Sequence, residues 1–148
     1  MSRIISFRGL LADLGIDTIP LQTNNGLTGY KIVKFELLPY DYASKNSEHL
    51  VQIWKVSQDP TAAAATLIDF SDNRLLAAGT MSNSTTGNVY PPRGTVIFEN
   101  EVFNQDIYVT HVDKGVSEPC NYYIELEQMD LALDEATVAT LKDIRNND

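Results

Sequence analysis

The chain has 148 residues, 43% of them hydrophobic and 21% charged, a composition that excludes intrinsic disorder and fits one domain burying roughly 68–70% of its unfolded surface. Its net charge is −9, and all of it falls in residues 99–148, where twelve carboxylates face three bases while residues 1–98 balance. Without clustered Lys and Arg, neither nucleic acid nor an anionic membrane is expected as a partner.

Taken in chain order, the pattern is short β segments separated by polar loops. Arg3–Leu11 reads as a first strand and Asp17–Leu21 as a second. Asn25-Gly26 is the best hairpin turn, because Asn-Gly tolerates the positive φ of a type I′ turn. Gly29–Leu38 alternates Lys31, Val33, Phe35 and Leu37 against Tyr30, Ile32, Lys34 and Glu36, with both faces partly apolar. His49–Ser57 sets Val51, Ile53 and Lys55 opposite Leu50, Trp54 and Val56. Pro60 and four alanines make 61–65 a brief loop or turn of helix. Arg74–Met81 is another strand, and Ser82–Gly94 a polar loop too long for a tight hairpin and suited to meeting a partner. Its Asn83-Ser-Thr sequon carries no weight without a secretion signal.

The acidic third carries the clearest patterns. Thr95–Val102 alternates Val96, Phe98 and Val102 against Ile97, Glu99 and Glu101. Asp106–Val112 places Ile107, Val109 and His111 on one face and Tyr108, Thr110 and Val112 on the other. In Asn121–Gln128, Tyr122, Ile124 and Leu126 share a buried face, while Tyr123, Glu125 and Glu127 share an acidic, wet one. The apolar phase flips at Met129, Leu131 and Leu133, which marks a bulge or the end of the sheet. A helix opens at Asp134, whose carboxylate caps the first turn, with Leu133 and Val138 spaced as a hydrophobic staple and Lys142 and Arg145 in the last turn. Its narrow apolar stripe, Val138, Leu141 and Ile144, must pack on its own sheet or on another subunit. About eight strands and one terminal helix predict an all-β fold, a β-sandwich that can take jelly-roll form. Residues 1–133 form the sandwich domain, and 134–148 a helix and tail belonging to that domain or docking on a neighbour.

Chemistry is sparse. No nucleophile elbow, phosphate-cradling glycine loop or Cys-His pattern occurs, and no catalytic residue, cofactor or metal is expected. His111, Asp113 and His49 could be imagined around a metal, but their spacing matches no metal motif, and two sheet histidines with ordinary partners are the expectation. Cys120 reads as a buried thiol at the start of a strand. Asp69, Asp72 and Asn73 read as turn caps rather than calcium ligands. Glu99 and Glu101 have the residue types of a glycosidase pair but read as a solvated edge. Trp54, Tyr122 and Tyr123 could form a sugar platform, though core and margin are their ordinary place. No apolar run reaches the length of a membrane span, and Arg3 and Arg8 interrupt any signal-like stretch, so synthesis in a cytoplasm is expected.

Three stretches of the acidic third, Ile97–His111, Asn121–Glu127 and Ala136–Arg145, resemble a group of small virion structural proteins of tailed phages of marine bacteria, including cyanophage and pelagiphage relatives. Arg3–Gly9 and Asn25–Ile32 fit the same group, so the resemblance spans nearly the whole chain. It implies a non-enzymatic virion component made in the host bacterial cytoplasm, such as a capsid decoration (cement) protein or a tail-attached module. Many copies would assemble as a homo-oligomer and on other virion proteins of capsid or tail. Val138, Leu141, Ile144, Glu125 and Glu127 are the candidate docking residues. The alternative is a carbohydrate- or host-receptor-binding sandwich using the Ser82–Gly94 loop with Trp54 and Tyr123.

Overall fold

The computed structural model describes residues 3–43, 46–83 and 93–145. Within them run β1 (Arg3–Leu11), β2 (Ile16–Ile19), β3 (Thr28–Pro39), β4 (Ser47–Trp54), β5 (Leu75–Asn83), β6 (Arg93–Ile97), β7 (Ile107–Asp113), β8 (Cys120–Asp130) and one helix, α1 (Leu133–Arg145). A 3-10 turn occupies Ala63–Thr66, where the alanine run suggested a turn of helix.

The strands form two antiparallel sheets, ordered β1-β8-β3 and β2-β7-β4-β5-β6. The pairs β1–β8, β2–β7 and β4–β5 are those of one long antiparallel ribbon. Rolled up, that ribbon also brings β8 beside β3 and β7 beside β4. These are three of the four ribbon pairs of a jelly roll. The fourth, β3 with β6, is replaced by β6 pairing with β5, so the fold is a jelly-roll-like sandwich in which the apolar faces of the two sheets meet. Ile32, Phe35, Leu37, Ile124 and Leu126 from one sheet meet Val51, Ile53, Ala77, Ile107 and Val109 from the other in one buried cluster.

Three expectations change. First, Asn25-Gly26 is not a hairpin turn: β2 pairs with β7 and β3 with β8, so residues 20–27 carry the chain between sheets. Gly26 does adopt φ +67°, and the Asp106 carboxylate accepts the amides of Leu21 and Gln22 to hold the crossing. Second, β3 does not alternate strictly. A bulge between Ile32 and Lys34 turns Val33 outward and keeps Tyr30, Ile32, Phe35 and Leu37 all buried, because an extra residue shifts the two-residue phase by one. Third, the strand read over Thr95–Val102 stops at Ile97, where Glu101 N donates to Phe98 O in a turn. Glu99 and Glu101 therefore project from a turn and not from one strand face.

Helix α1 opens as expected, in altered detail. Asp134 Oδ1 accepts the amide of Glu135, and Glu135 Oε1 reaches back to the amide of Ala132, half of a capping box. Leu133 and Val138 are both largely exposed, so no buried staple forms. The helix seats on the sandwich through its small residues: Ala136 and Ala139 are buried, and the fully buried Asn104 donates its amide to Gly26 O, Thr140 Oγ1 and Ala136 O.

Candidate functional site

The densest group of chemically versatile side chains lies inside the sandwich, at the end closed by the β1–β2 and β7–β8 connections. His49 on β4 and His111 on β7 share the inward parity of Val51 and Ile53, and of Ile107 and Val109, and β4 pairs antiparallel with β7 so that Asp113 stands opposite His49. Cys120, the first residue of β8, points inward from the other sheet with Tyr122, Ile124 and Leu126. The donor atoms of His49, His111 and Cys120 all lie within 4.8 Å of one another, and none of the three residues exceeds 2% exposure. The His49, His111 and Asp113 that the linear sequence offered without a motif are thus brought together, and the thiol joins them.

Hydrogen bonds set the tautomers. His111 Nδ1 lies 3.0 Å from Ala12 O. A carbonyl only accepts, so Nδ1 carries the proton and Nε2 of the neutral ring presents a lone pair. His49 Nδ1 is 2.9 Å from that Nε2 and donates to it. Burial, the strongest influence, pushes the His49 pKa down, with His111 adding to it, against the opposing pull of Asp113 and Asp13. His49 therefore rests as the neutral imidazole.

Asp113 remains charged. Burial alone would raise its pKa, but the amides of Glu48, Glu118 and Gly115 donate to it, and together with His49 they hold it below the ordinary value. Its Oδ2 is 4.0 Å from His49 Nδ1. Burial, then the Asp113 charge, pushes the Cys120 thiol up to about 12, so on its own it is a thiol and no nucleophile. The turn over this cluster is strained: Leu14 sits at φ +63°, a rare conformation for a branched side chain. It is held by Leu14 N to His111 O, His111 N to Gly15 O, and Asp113 N to the Asp13 carboxylate.

The other candidates disperse. Trp54 donates to Thr110 Oγ1 on one sheet. Tyr122 is in the core with its hydroxyl on Asp17 Oδ2, 2.7 Å away, while Tyr123 lies on the outer face of the other sheet and donates to Glu125 Oε2. No shared platform results. Glu101 takes an ion pair from the buried Lys55 at 3.0 Å. Asp69 accepts the amide and hydroxyl of Ser71, and Asp72 holds Arg74 by three bonds, one from its backbone amide and two from its guanidinium, so both cap turns.

The docking residues fall into two groups. Val138 and Leu141 are 55% and 53% exposed; the side chains of Ile144, Lys142 and Arg145 lie outside the described residues. Glu125 and Glu127 lie on the outer face of β8, but that face is not simply acidic. Lys31 stands opposite Glu127 and Lys34 opposite Glu125 on β3, with Arg8 opposite Tyr123 on β1. Glu127 pairs with Lys31 at 3.4 Å, and Lys34 rides over the Tyr123 ring. Bases from the neutral part of the chain are laid against acids of the charged part. Of the Ser82–Gly94 loop, residues 84–92 lie outside the described residues.

Asn104 and Asp106 carry no motif, yet one seats the helix and the other anchors the crossing between sheets. The only signal in the sequence was a pair of polar residues in a short apolar-flanked segment. No helix among the described residues is long and apolar enough to cross a membrane. No family model and no curated protein sequence matches the chain.

Proposed function

We propose that this chain is a non-enzymatic structural subunit of a tailed-phage virion, a capsid decoration protein or tail-attached module present in many copies. The observation that carries the reading is the seating of α1: it turns Ala136 and Ala139 inward and leaves Val138 and Leu141 outward. A helix that spends its small residues on its own sandwich and presents its large ones to solvent is built for a second surface. The resemblance of Ile97–His111, Asn121–Glu127 and Ala136–Arg145 to virion structural proteins points the same way. So does the closure of the His49–His111–Cys120 cluster, which at 0–2% exposure offers a substrate no entry. Glu125 and Glu127 would then flank docking as members of a mixed-charge ladder rather than as a uniformly acidic patch.

The test is incorporation. A Val138→Ser/Leu141→Ser variant is expected to keep its Tm, since both side chains are largely exposed, and to vanish from purified particles by mass spectrometry. Wild-type abundance of the variant in particles, or absence of the wild-type chain from them, would refute the proposal.

A second reading, a glycan- or receptor-binding module, draws on a surface groove of about 840 Å3 whose lining includes Arg8, Glu36, Asn121 and Tyr123. Charged and amide groups beside an aromatic ring suit a sugar. Binding on a glycan array that is lost in Tyr123→Ala, with incorporation unaffected by the helix variant, would favour it.

A further inference from the structure

We propose that His49, His111 and Cys120 form a structural site for one divalent transition-metal ion of the zinc class, which cross-links the two sheets of the sandwich. One donor atom from each of the three residues lies within 4.8 Å of the other two. The 2.9 Å approach of His49 Nδ1 to His111 Nε2, with His111 Nδ1 engaged by Ala12 O, makes His49 Nδ1, His111 Nε2 and Cys120 Sγ the donors the geometry points to. Two imidazoles and a thiol are the ligand types that select zinc over calcium or magnesium. Ligands at about 2.0–2.3 Å from a tetrahedral ion stand roughly 3.3–3.6 Å apart. That separation falls between the 2.9 Å of the two histidine nitrogens and the 4.8 Å limit of the group. Rotations of side chains by about an ångström close the set around an ion.

Three further features fit the ion. His111 is held by the bond from its Nδ1 to the Ala12 carbonyl, the outer-sphere bond that orients a metal-bound histidine and leaves Nε2 free to coordinate. Asp113, itself 3% exposed, places Oδ2 at 4.0 Å from His49 Nδ1, a buried anion beside the donor set. A dication, a thiolate and the Asp113 carboxylate also sum to zero, so the occupied site buries no net charge. Binding moves protons in a defined way. Cys120 releases its thiol proton to solvent, and His49 passes its proton from Nδ1 to Nε2, so each ion displaces one proton overall.

The location explains what the ion would do. His49 and His111 belong to β4 and β7 of the five-stranded sheet, and Cys120 to β8 of the three-stranded one. The bond spans the end of the sandwich where the strained turn at Leu14 closes over the core. The site is closed, as structural zinc sites are, and it serves the fold whatever the protein docks to.

The experiment uses the full chain, purified with chelator and titrated with Co2+ and then Zn2+. Cys120 is the sole cysteine, so a thiolate-to-cobalt charge-transfer band identifies the site without any variant. Expected are one Co2+ per chain with tetrahedral visible bands, displacement by one Zn2+, and a Tm rise of roughly 8 °C at free Zn2+ about 100 times Kd. Cys120→Ser should abolish the charge-transfer band, and His49→Gln should weaken Zn2+ binding at least tenfold. If Cys120→Ser fails to fold, the wild-type band and Tm shift decide alone. Absence of the band with an unchanged Tm overturns the proposal and leaves a hydrogen-bonded histidine pair. A band that persists in folded Cys120→Ser overturns it equally.

Discussion

Asn104 is the residue on which the placement of α1 depends most directly. Its side chain is fully buried, and its amide nitrogen meets Thr140 Oγ1 at 2.9 Å, Gly26 O at 3.1 Å and Ala136 O at 3.4 Å. In Asn104→Ala, Gly26 O and Thr140 Oγ1 lose their donor. A buried polar group left unpaired costs ~1–3 kcal/mol. Thr140 can turn its hydroxyl back to a helical carbonyl, and Gly26 sits in a partly exposed loop, so the two together are set at about 2 kcal/mol. For a chain of this size that lowers Tm by roughly 6 °C. Asn104→Asp keeps the shape but aims a carboxylate at carbonyl oxygens in a dry site, and should cost more, about 4 kcal/mol. Urea unfolding of both variants gives the ordering, and amide hydrogen exchange across residues 133–141 localises it: these amides should lose protection while those of β4 and β7 keep theirs. An Asp variant no less stable than the Ala variant would refute the donor role assigned to Asn104, and unchanged exchange in the helix would refute its part in seating α1.

Three further outcomes are expected. A Cβ at Gly115 would overlap the carbonyl oxygen of Asn46, so Gly115→Ala must push the β3–β4 and β7–β8 loops apart and should lower stability by ~1–3 kcal/mol in urea unfolding. Lys31→Glu puts like charges across the β3–β8 ladder in place of the Lys31–Glu127 pair; a loss of about 0.5–1 kcal/mol is expected, relieved by added salt. Asp72 is held below its ordinary value of 3.8, first by its side-chain bond from Arg74. The folded state therefore favours the carboxylate, and its contribution is complete above 3.8 and lost as pH falls through the lower folded value. Because Arg74 is partly exposed, Asp72→Asn should cost only roughly 0.5–1 kcal/mol at neutral pH. It should also flatten the fall in stability below 3.8; an unchanged acid limb would count against the ion pair.

How much of this protein its sequence determines depends on the range of the interaction. Strand segments such as Asn121–Gln128 follow from alternation alone, because side chains two apart share a face. The start of α1 follows from Asp134 and Glu135, whose partners lie within three residues. The inward parity of His49, His111 and Cys120 was equally legible, since each keeps phase with its apolar neighbours. What no local rule contains is that these three strand ends meet. That depends on the rolled pairing of β4 with β7 and on β8 closing the opposite sheet. The same pairing set Lys31 and Lys34 against Glu127 and Glu125, so the charge asymmetry along the chain does not become one on that face. It likewise decided that α1 rests on Ala136 and Ala139 instead of its larger stripe: Asn104, brought up from a distant loop, offers its buried donors to that side of the helix.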